Sequence, residues 1–184
     1  MKKIVFFYLI LNFFSISYAT NKDSIIKNFS KINNLTFSFT QTINGKDESG
    51  ECVIAYPKKI FCKYNLRFNK VLVSNGKSIA IKSDKNKQYY RYPLKTTPLL
   101  YLLDKEFILR KIKNLELLSL KDKFFYFSID QEGQIINLFF DKKSFDLIGW
   151  QTEDIFQNLT VTRIYNLKKN SVVDEKIFIL PSIN

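Results

Sequence analysis

The apolar positions along this chain keep two different periods. Between Asn21 and Asn33, Ile25, Ile26, Phe29 and Ile32 fall at helical spacing, with Asn21 or Asp23 placed to cap, which predicts one amphipathic helix. From Leu35 the period becomes two. Leu35, Phe37, Phe39, Gln41 and Ile43 alternate with Thr36, Ser38, Thr40 and Thr42, the pattern of a half-buried strand. Further strands are predicted near 50-56, 60-66, 70-74, 77-83 and 88-92, punctuated by Pro57, Ser74-Asn75-Gly76 and Asp84-Lys85-Asn86. Thr97-Pro98 then reads as an N-cap followed by proline at the first helical position. Leu99, Leu100, Leu102 and Leu103 continue it as a strongly apolar helix, and a second short helix is expected around Glu106 to Lys111. The strand rhythm resumes near 114-120, 123-130, 134-141, 145-152 and 158-165, with turns at Lys121-Asp122-Lys123, Gln131-Glu132-Gly133 and Asp141-Lys142-Lys143. About eleven strands with helices at only two places imply a mainly β domain. Its large antiparallel sheet curls into an incomplete barrel, with the helices laid across the open side. The concave face is then either filled by side chains or encloses a cavity for an apolar ligand, and periodicity does not separate the two.

Ahead of this pattern stand Lys2 and Lys3, an apolar run from Ile4 to Phe14 broken only by Asn12, and the small residues of Ser17-Tyr18-Ala19. This is the layout of a signal peptide over residues 1-19, cleaved after Ala19, with a mature domain over 20-184; the alternative is an uncleaved anchor. The run is shorter than the roughly 20 residues of a membrane span, and no second run of that length follows. No cysteine stands at the cleavage point to be acylated. The formal charge of +12 falls, with Lys2 and Lys3, to +10. The basic residues of the mature chain are lysines apart from Arg67, Arg91, Arg110 and Arg163. Arginine is the residue favoured for bidentate phosphate recognition, so no nucleic-acid partner is expected, and mild attraction to an anionic membrane surface is the functional alternative to plain solvation.

Histidine is absent, which excludes Ser-His-Asp and Cys-His catalysis and His-ligated metals. Two cysteines cannot build a four-thiolate site, and five glycines without a clustered G-x-G leave no phosphate cradle. The acids Asp47, Glu48, Glu51, Asp130 and Glu132 sit at predicted turns or their edges and offer no pair for acid-base work. Sequons at Asn28, Asn34 and Asn158 are read as accidents of an asparagine-rich chain. No enzyme, metal or cofactor is expected.

Five stretches together carry a resemblance. They are Phe37-Ser38-Phe39-Thr40-Gln41; Gly50 and the strand to Pro57; Val73-Ser74-Asn75-Gly76-Lys77; Tyr92-Pro93-Leu94-Lys95-Thr96-Thr97-Pro98-Leu99; and Leu147-Ile148-Gly149-Trp150 with Asp154 and Thr160-Val161-Thr162. In order and spacing, behind a signal peptide, the chain resembles the periplasmic outer-membrane lipoprotein carrier proteins, the LolA family. The resemblance implies a half-barrel with a helical lid over a cavity for acyl chains. The cargo would be acylated lipoproteins, received from an inner-membrane ABC transporter and carried across the periplasm to a possible outer-membrane acceptor by a monomeric chaperone. The site residues implied are Phe37, Phe39, Ile54, Tyr56, Ile60 and Trp150 of the sheet, and Leu99, Leu100, Leu102 and Leu103 of the lid. The alternative is a periplasmic lipid-binding adaptor or sensor without a transport role.

Two positions depart from the family. Where it commonly has an arginine that ties barrel to lid, just before the proline, this chain has Tyr56, which is expected to bond lid carbonyls through one hydroxyl and to hold the lid more weakly. Cys62 stands where the family has an aromatic residue. A hairpin centred on Pro57 sets Cys52 opposite Cys62 and, with Glu51 and Lys63 facing water, sends Cys52, Ile54, Tyr56, Ile60 and Cys62 to the concave face. An oxidising compartment permits a disulfide there; the alternative is a pair of free buried thiols.

Overall fold

The computed structural model of the protein describes residues 20–65, 70–82, 89–120, 123–153 and 158–182. The expected signal peptide, the turn at Asp84-Lys85-Asn86, Lys121-Asp122, and Asp154 lie outside them.

Helix α1 (Asn21–Ser30) starts at a capping box. The Thr20 hydroxyl accepts from the Asp23 amide and the Asp23 carboxylate accepts from the Thr20 amide, so the cap is Thr20 rather than the expected Asn21 or Asp23. Its buried residues, Ile25 and Phe29, are two of the four from which the helix was predicted. Strands β1 (Asn34–Ile43), β2 (Lys46–Ala55), β3 (Lys59–Tyr64), β4 (Val71–Asn75), β5 (Ser78–Lys82) and β6 (Tyr89–Pro93) follow as antiparallel neighbours. After a single 3-10 turn at Leu94–Thr96 come α2 (Leu99–Leu102) and α3 (Lys105–Asn114). Strands β7 (Leu118–Leu120), β8 (Phe124–Gln131), β9 (Gln134–Asp141), β10 (Leu147–Glu153) and β11 (Leu159–Lys169) complete the sheet.

All eleven strands form one antiparallel sheet in the order β6-β5-β4-β3-β2-β1-β11-β10-β9-β8-β7, not closed into a barrel. The chain starts at the centre, works outward to β6, and must then reach the opposite edge at β7. The helices α2 and α3 are that crossing, so their place over the open side follows from topology.

The departures from the sequence reading have local causes. Strand β2 begins at Lys46 instead of 50, because Asn44 and Gly45, both at positive φ, close a two-residue hairpin. The polar run Lys46-Asp47-Glu48-Ser49 extends past the core and so lacks apolar alternation. Strand β11 continues to Lys169 through mostly exposed positions beyond Ile164, pairing with Thr36 and Leu35 past a bulge. Helix α3 takes residues up to Asn114, which shortens the expected strand at 114-120 to three residues. Thr97 does not cap α2: its hydroxyl donates to the Leu94 carbonyl, inside the preceding 3-10 turn, and Pro98 takes the cap position.

The concave face is divided. On one side Ile25 and Phe29 of α1 and Ile108 and Ile112 of α3 pack on Phe127, Leu138 and Phe140 as a filled core, with Phe29 edge-on to Phe140. On the other side, over β1 and β3 to β5, the sheet encloses space. Both readings of the curled sheet therefore hold, each in its own half.

Candidate functional site

The enclosed space is a cavity of about 300 Å³. Its walls come from alternate residues of adjacent strands. Phe39 and Ile43 lie on β1, Cys52 on β2, Ile60, Cys62 and Tyr64 on β3, Leu72 on β4, Ile79 and Ile81 on β5, and Trp150 on β10. Pro98 and Leu99 close its rim from the helical side. A crevice of only about 10 Å³ continues under α2 between Ile54, Tyr56, Ile60, Leu102, Leu103, Ile108 and Leu147, and it shares Ile60, Leu99 and Trp150 with the larger cavity. Leu102 and Leu103 are buried in the mouth of that crevice.

Of the residues expected at the site, Phe39 lines the cavity, Ile54, Tyr56, Leu102 and Leu103 line the crevice, and Ile60, Leu99 and Trp150 line both. Phe37 and Leu100 line neither. Phe37 is core, edge-on to the Trp150 ring at 6.1 Å, and Leu100 is half-buried against the core. Cys52 and Cys62 pair directly across β2 and β3, with Cα atoms 4.1 Å apart, and are joined as a disulfide in the cavity wall. A glycine makes this wall possible: a Cβ on Gly50 would fall 2.3 Å from the Lys63 carbonyl oxygen and 3.0 Å from the Phe39 ring, which packs edge-on to Tyr64.

The hairpin grips the helices differently from expectation. Among the described residues the Tyr56 hydroxyl has no hydrogen-bond partner, and its ring instead packs edge-on to Phe29 at 5.9 Å. Burial pushes that hydroxyl above the ordinary tyrosine range. The next turn residue but one makes the link. The Lys58 amide donates to the Leu103 carbonyl at 2.7 Å, and the Lys58 ammonium lies 3.2 Å from the Asp104 carboxylate. The other oxygen of Asp104 accepts from the Phe107 amide and so caps α3. One carboxylate thus starts α3 and holds the hairpin.

One end of the cavity is polar. The Tyr64 hydroxyl donates to Gln41 Oε1 at 3.1 Å, Gln41 Nε2 donates to the Thr162 hydroxyl at 3.1 Å, and Thr152 and Thr160 stand beside them. Burial first, and the Glu48 carboxylate second, raise the Tyr64 hydroxyl above its ordinary range, so it is a neutral donor. Lys70, paired with Glu48, sits over the Tyr64 ring at 3.9 Å. Sequence reasoning missed Lys58 and this polar group. Gln41 was the available signal, a polar residue at an inward position of an otherwise apolar alternation. Among the described residues no cluster of His, Cys, Asp or Glu could hold a metal ion, and no helix is long and apolar enough to cross a membrane.

The family described as "Outer membrane lipoprotein carrier protein LolA" matches residues 30–180. No curated protein sequence matches the chain. Among solved structures, an uncharacterized conserved protein from Thermus thermophilus is similar with a TM-score of 0.52 at 9% identity, covering 88% of this chain and 92% of that one. A LolA superfamily protein from Nitrosomonas europaea has a TM-score of 0.42 at 12% identity, covering 88% and 99%. An outer membrane lipoprotein-sorting protein domain from Vibrio parahaemolyticus has a TM-score of 0.46 at 8% identity, covering 84% and 94%.

Proposed function

This chain belongs to the LolA family of outer membrane lipoprotein carrier proteins, and from that membership together with the lidded cavity we propose that it is a periplasmic chaperone that holds the acyl chains of lipoproteins and carries them from the inner to the outer membrane. The observation that carries this reading is the apolar cavity closed on one side by α2. A buried methylene contributes about 0.8 kcal/mol, so a twelve-carbon chain offers on the order of 10 kcal/mol gross. A carrier must also release its cargo. Here Leu99, Leu102 and Leu103 occupy the crevice into which the cavity continues, and they lose that burial when a chain displaces them, which offsets part of the gain. At about 30 Å³ for each water-sized group, 300 Å³ holds about ten groups, the bulk of one short chain. Cargo with more chains requires α2 to swing off the crevice.

On this reading Phe39, Ile54, Ile60, Trp150, Leu99, Leu102 and Leu103 contact the chains, Lys58 and Asp104 hold the lid, and the loading and unloading partners are an inner-membrane ABC transporter and an outer-membrane acceptor. Isolation of the full-length product from a bacterial periplasm tests it. Triacylated lipoprotein should co-purify, and should be lost in Leu99→Glu. Recovery of the folded protein with no acylated species, from cells that make such lipoproteins, overturns it.

A further inference from the structure

Two neighbouring cross-strand rows form the polar end of the cavity: Trp150, Thr162 and Gln41 in one, and Thr152, Thr160 and Ile43 in the other, each crossing β10, β11 and β1. In a wall that is mostly apolar, this places three threonines and one glutamine side by side, with Lys70 and Glu153 also lining the space. Their internal bonding is incomplete in one sense only. Gln41 Nε2 gives one hydrogen to Thr162, and the Thr160 hydroxyl donates to the Asn158 carbonyl at 3.3 Å. The Thr162 hydroxyl hydrogen, the second amide hydrogen of Gln41 and the Thr152 hydroxyl meet no acceptor among the described residues. Thr152 is only 7% exposed and lines the cavity. Since no side-chain oxygen or nitrogen sealed inside the described residues is left unbonded, its hydroxyl opens onto the cavity space. An apolar ligand entering that space drives out the water, and a hydroxyl then left without a partner costs more than the hydrogen bond it could make is worth, unless the ligand brings an acceptor.

A threonine hydroxyl can donate or accept, but the second amide hydrogen of Gln41 can only donate. The one ligand atom that suits all three groups is therefore an acceptor on an otherwise apolar molecule, and the carbonyl oxygen of an acyl ester or amide is that atom. We propose that Thr152, Thr162 and Gln41 form a carbonyl subsite, which holds the linkage end of an acyl chain while its tail runs past Trp150 toward the crevice under α2. This rests on the acyl-carrier reading and deepens it, because a bare hydrocarbon pocket would grade ligands by length alone, whereas a carbonyl subsite distinguishes ester-linked and amide-linked chains from ether-linked ones and fixes their direction. A site built to hydrogen-bond one group discriminates against an analogue lacking it.

The test uses two probes that differ by that carbonyl, 1-myristoylglycerol and 1-O-tetradecylglycerol, each competing with a fluorescent apolar dye on the full chain. The ester should bind about fivefold to tenfold more tightly, the size of one or two neutral hydrogen bonds. Thr152→Val should reduce that preference severalfold, in part by raising ether affinity, because the hydroxyl that an ether leaves stranded is gone. The melting temperature should hold, since the change removes a hydroxyl with no partner among the described residues and keeps the β-branched shape. Thr162→Val should do the same to the preference at some loss of stability. Equal affinity for ester and ether, or an ester preference that survives Thr152→Val and Thr162→Val in folded protein, overturns the subsite and leaves the carrier reading standing. Failure of both probes to displace the dye overturns both. A triacylated cysteinyl peptide and phosphatidylglycerol, tested against the same variants, identify which source of the linkage the subsite prefers.

Discussion

The two helices over the open side of the sheet are held in opposite ways. Helix α3 lies against α1, and each supplies a lysine to the other's exposed C-terminal carbonyls. Lys22 of α1 reaches the carbonyls of Lys113 and Leu115, at 2.6 and 2.8 Å, while Lys105 of α3 reaches those of Ser30 and Ile32, at 3.2 and 2.8 Å. Cations at helix C-termini satisfy orphan acceptors and complement the dipole. With Asp104 as its cap and Ile108, Leu109 and Ile112 buried, α3 is part of the filled core. Helix α2 is a single turn with no side-chain cap bond, and of its four residues only Leu102 is buried. A helix this short has almost no stability of its own. The contrast makes α2 the most loosely held of the helices over the sheet and, on the proposed carrier reading, the part of the lid that yields against α1 and α3.

Mutation can break this contrast. Ile112→Ala in α3 should cost about 2–5 kcal/mol of stability by thermal unfolding, whereas Leu99→Ala in α2 should cost well under half of that and increase dye access to the cavity. Equal losses at the two positions would erase the distinction. Next in size is the disulfide beneath the cavity. Replacing Cys52 and Cys62 by serine should lower stability by at most about 2–3 kcal/mol, since the closed loop is short, and thiol labelling of the denatured, unreduced wild type should find neither sulfur free. At the joint between the helices, Asp104→Ala removes both the α3 cap and the Lys58 ion pair and should cost about 1–2 kcal/mol. Lys58→Met removes the half-exposed ion pair alone and should cost under about 1 kcal/mol. Both should speed cargo exchange in a stopped-flow displacement assay. The smallest effect belongs to Tyr56→Phe, within about 0.5 kcal/mol at neutral pH, because the hydroxyl it deletes has no partner among the described residues. Its raised folded pKa adds stability that is present below about pH 10 and is lost as pH climbs from there toward the folded value, so Tyr56→Phe should soften the alkaline decline in melting temperature.

The sheet was legible in the sequence wherever one face is wet and the other dry. The count about Pro57 places Cys52 opposite Cys62, and the structure has that register from Gly50 and Tyr64 down to Ala55 and Lys59. Legibility failed where a strand outruns the core, as at Lys46-Asp47-Glu48-Ser49, since alternation records burial and not hydrogen bonding. The leucines after Pro98 pointed to a helix over the sheet, but their pattern did not show which turn is loosely held. That depends on a lysine of α1 meeting carbonyls 91 and 93 residues away and a lysine of α3 meeting carbonyls 75 and 73 residues away. Likewise Tyr56 drew attention by position, while the link was made by Lys58, whose neighbours are set only once the crossing is in place. The polar end of the cavity was half visible, in Gln41 and in Thr160-Val161-Thr162, but the unpartnered state of Thr152 is a property of the packed sheet.

The meeting of β1 and β11 at the centre of the sheet bears on how the chain reaches this state. Each half-sheet is built from hairpins between sequence neighbours, which form quickly because little loop entropy is lost. The seam between the halves joins the first strand to the last, with Ser38 opposite Tyr165 and Leu35 opposite Lys169. Such a pairing has a very high contact order and is the slow step. Until β11 is supplied, β1 and β10 present unpaired edges in the middle of the molecule, and a chain shortened before Leu159 keeps them permanently, with the self-association that open edges bring.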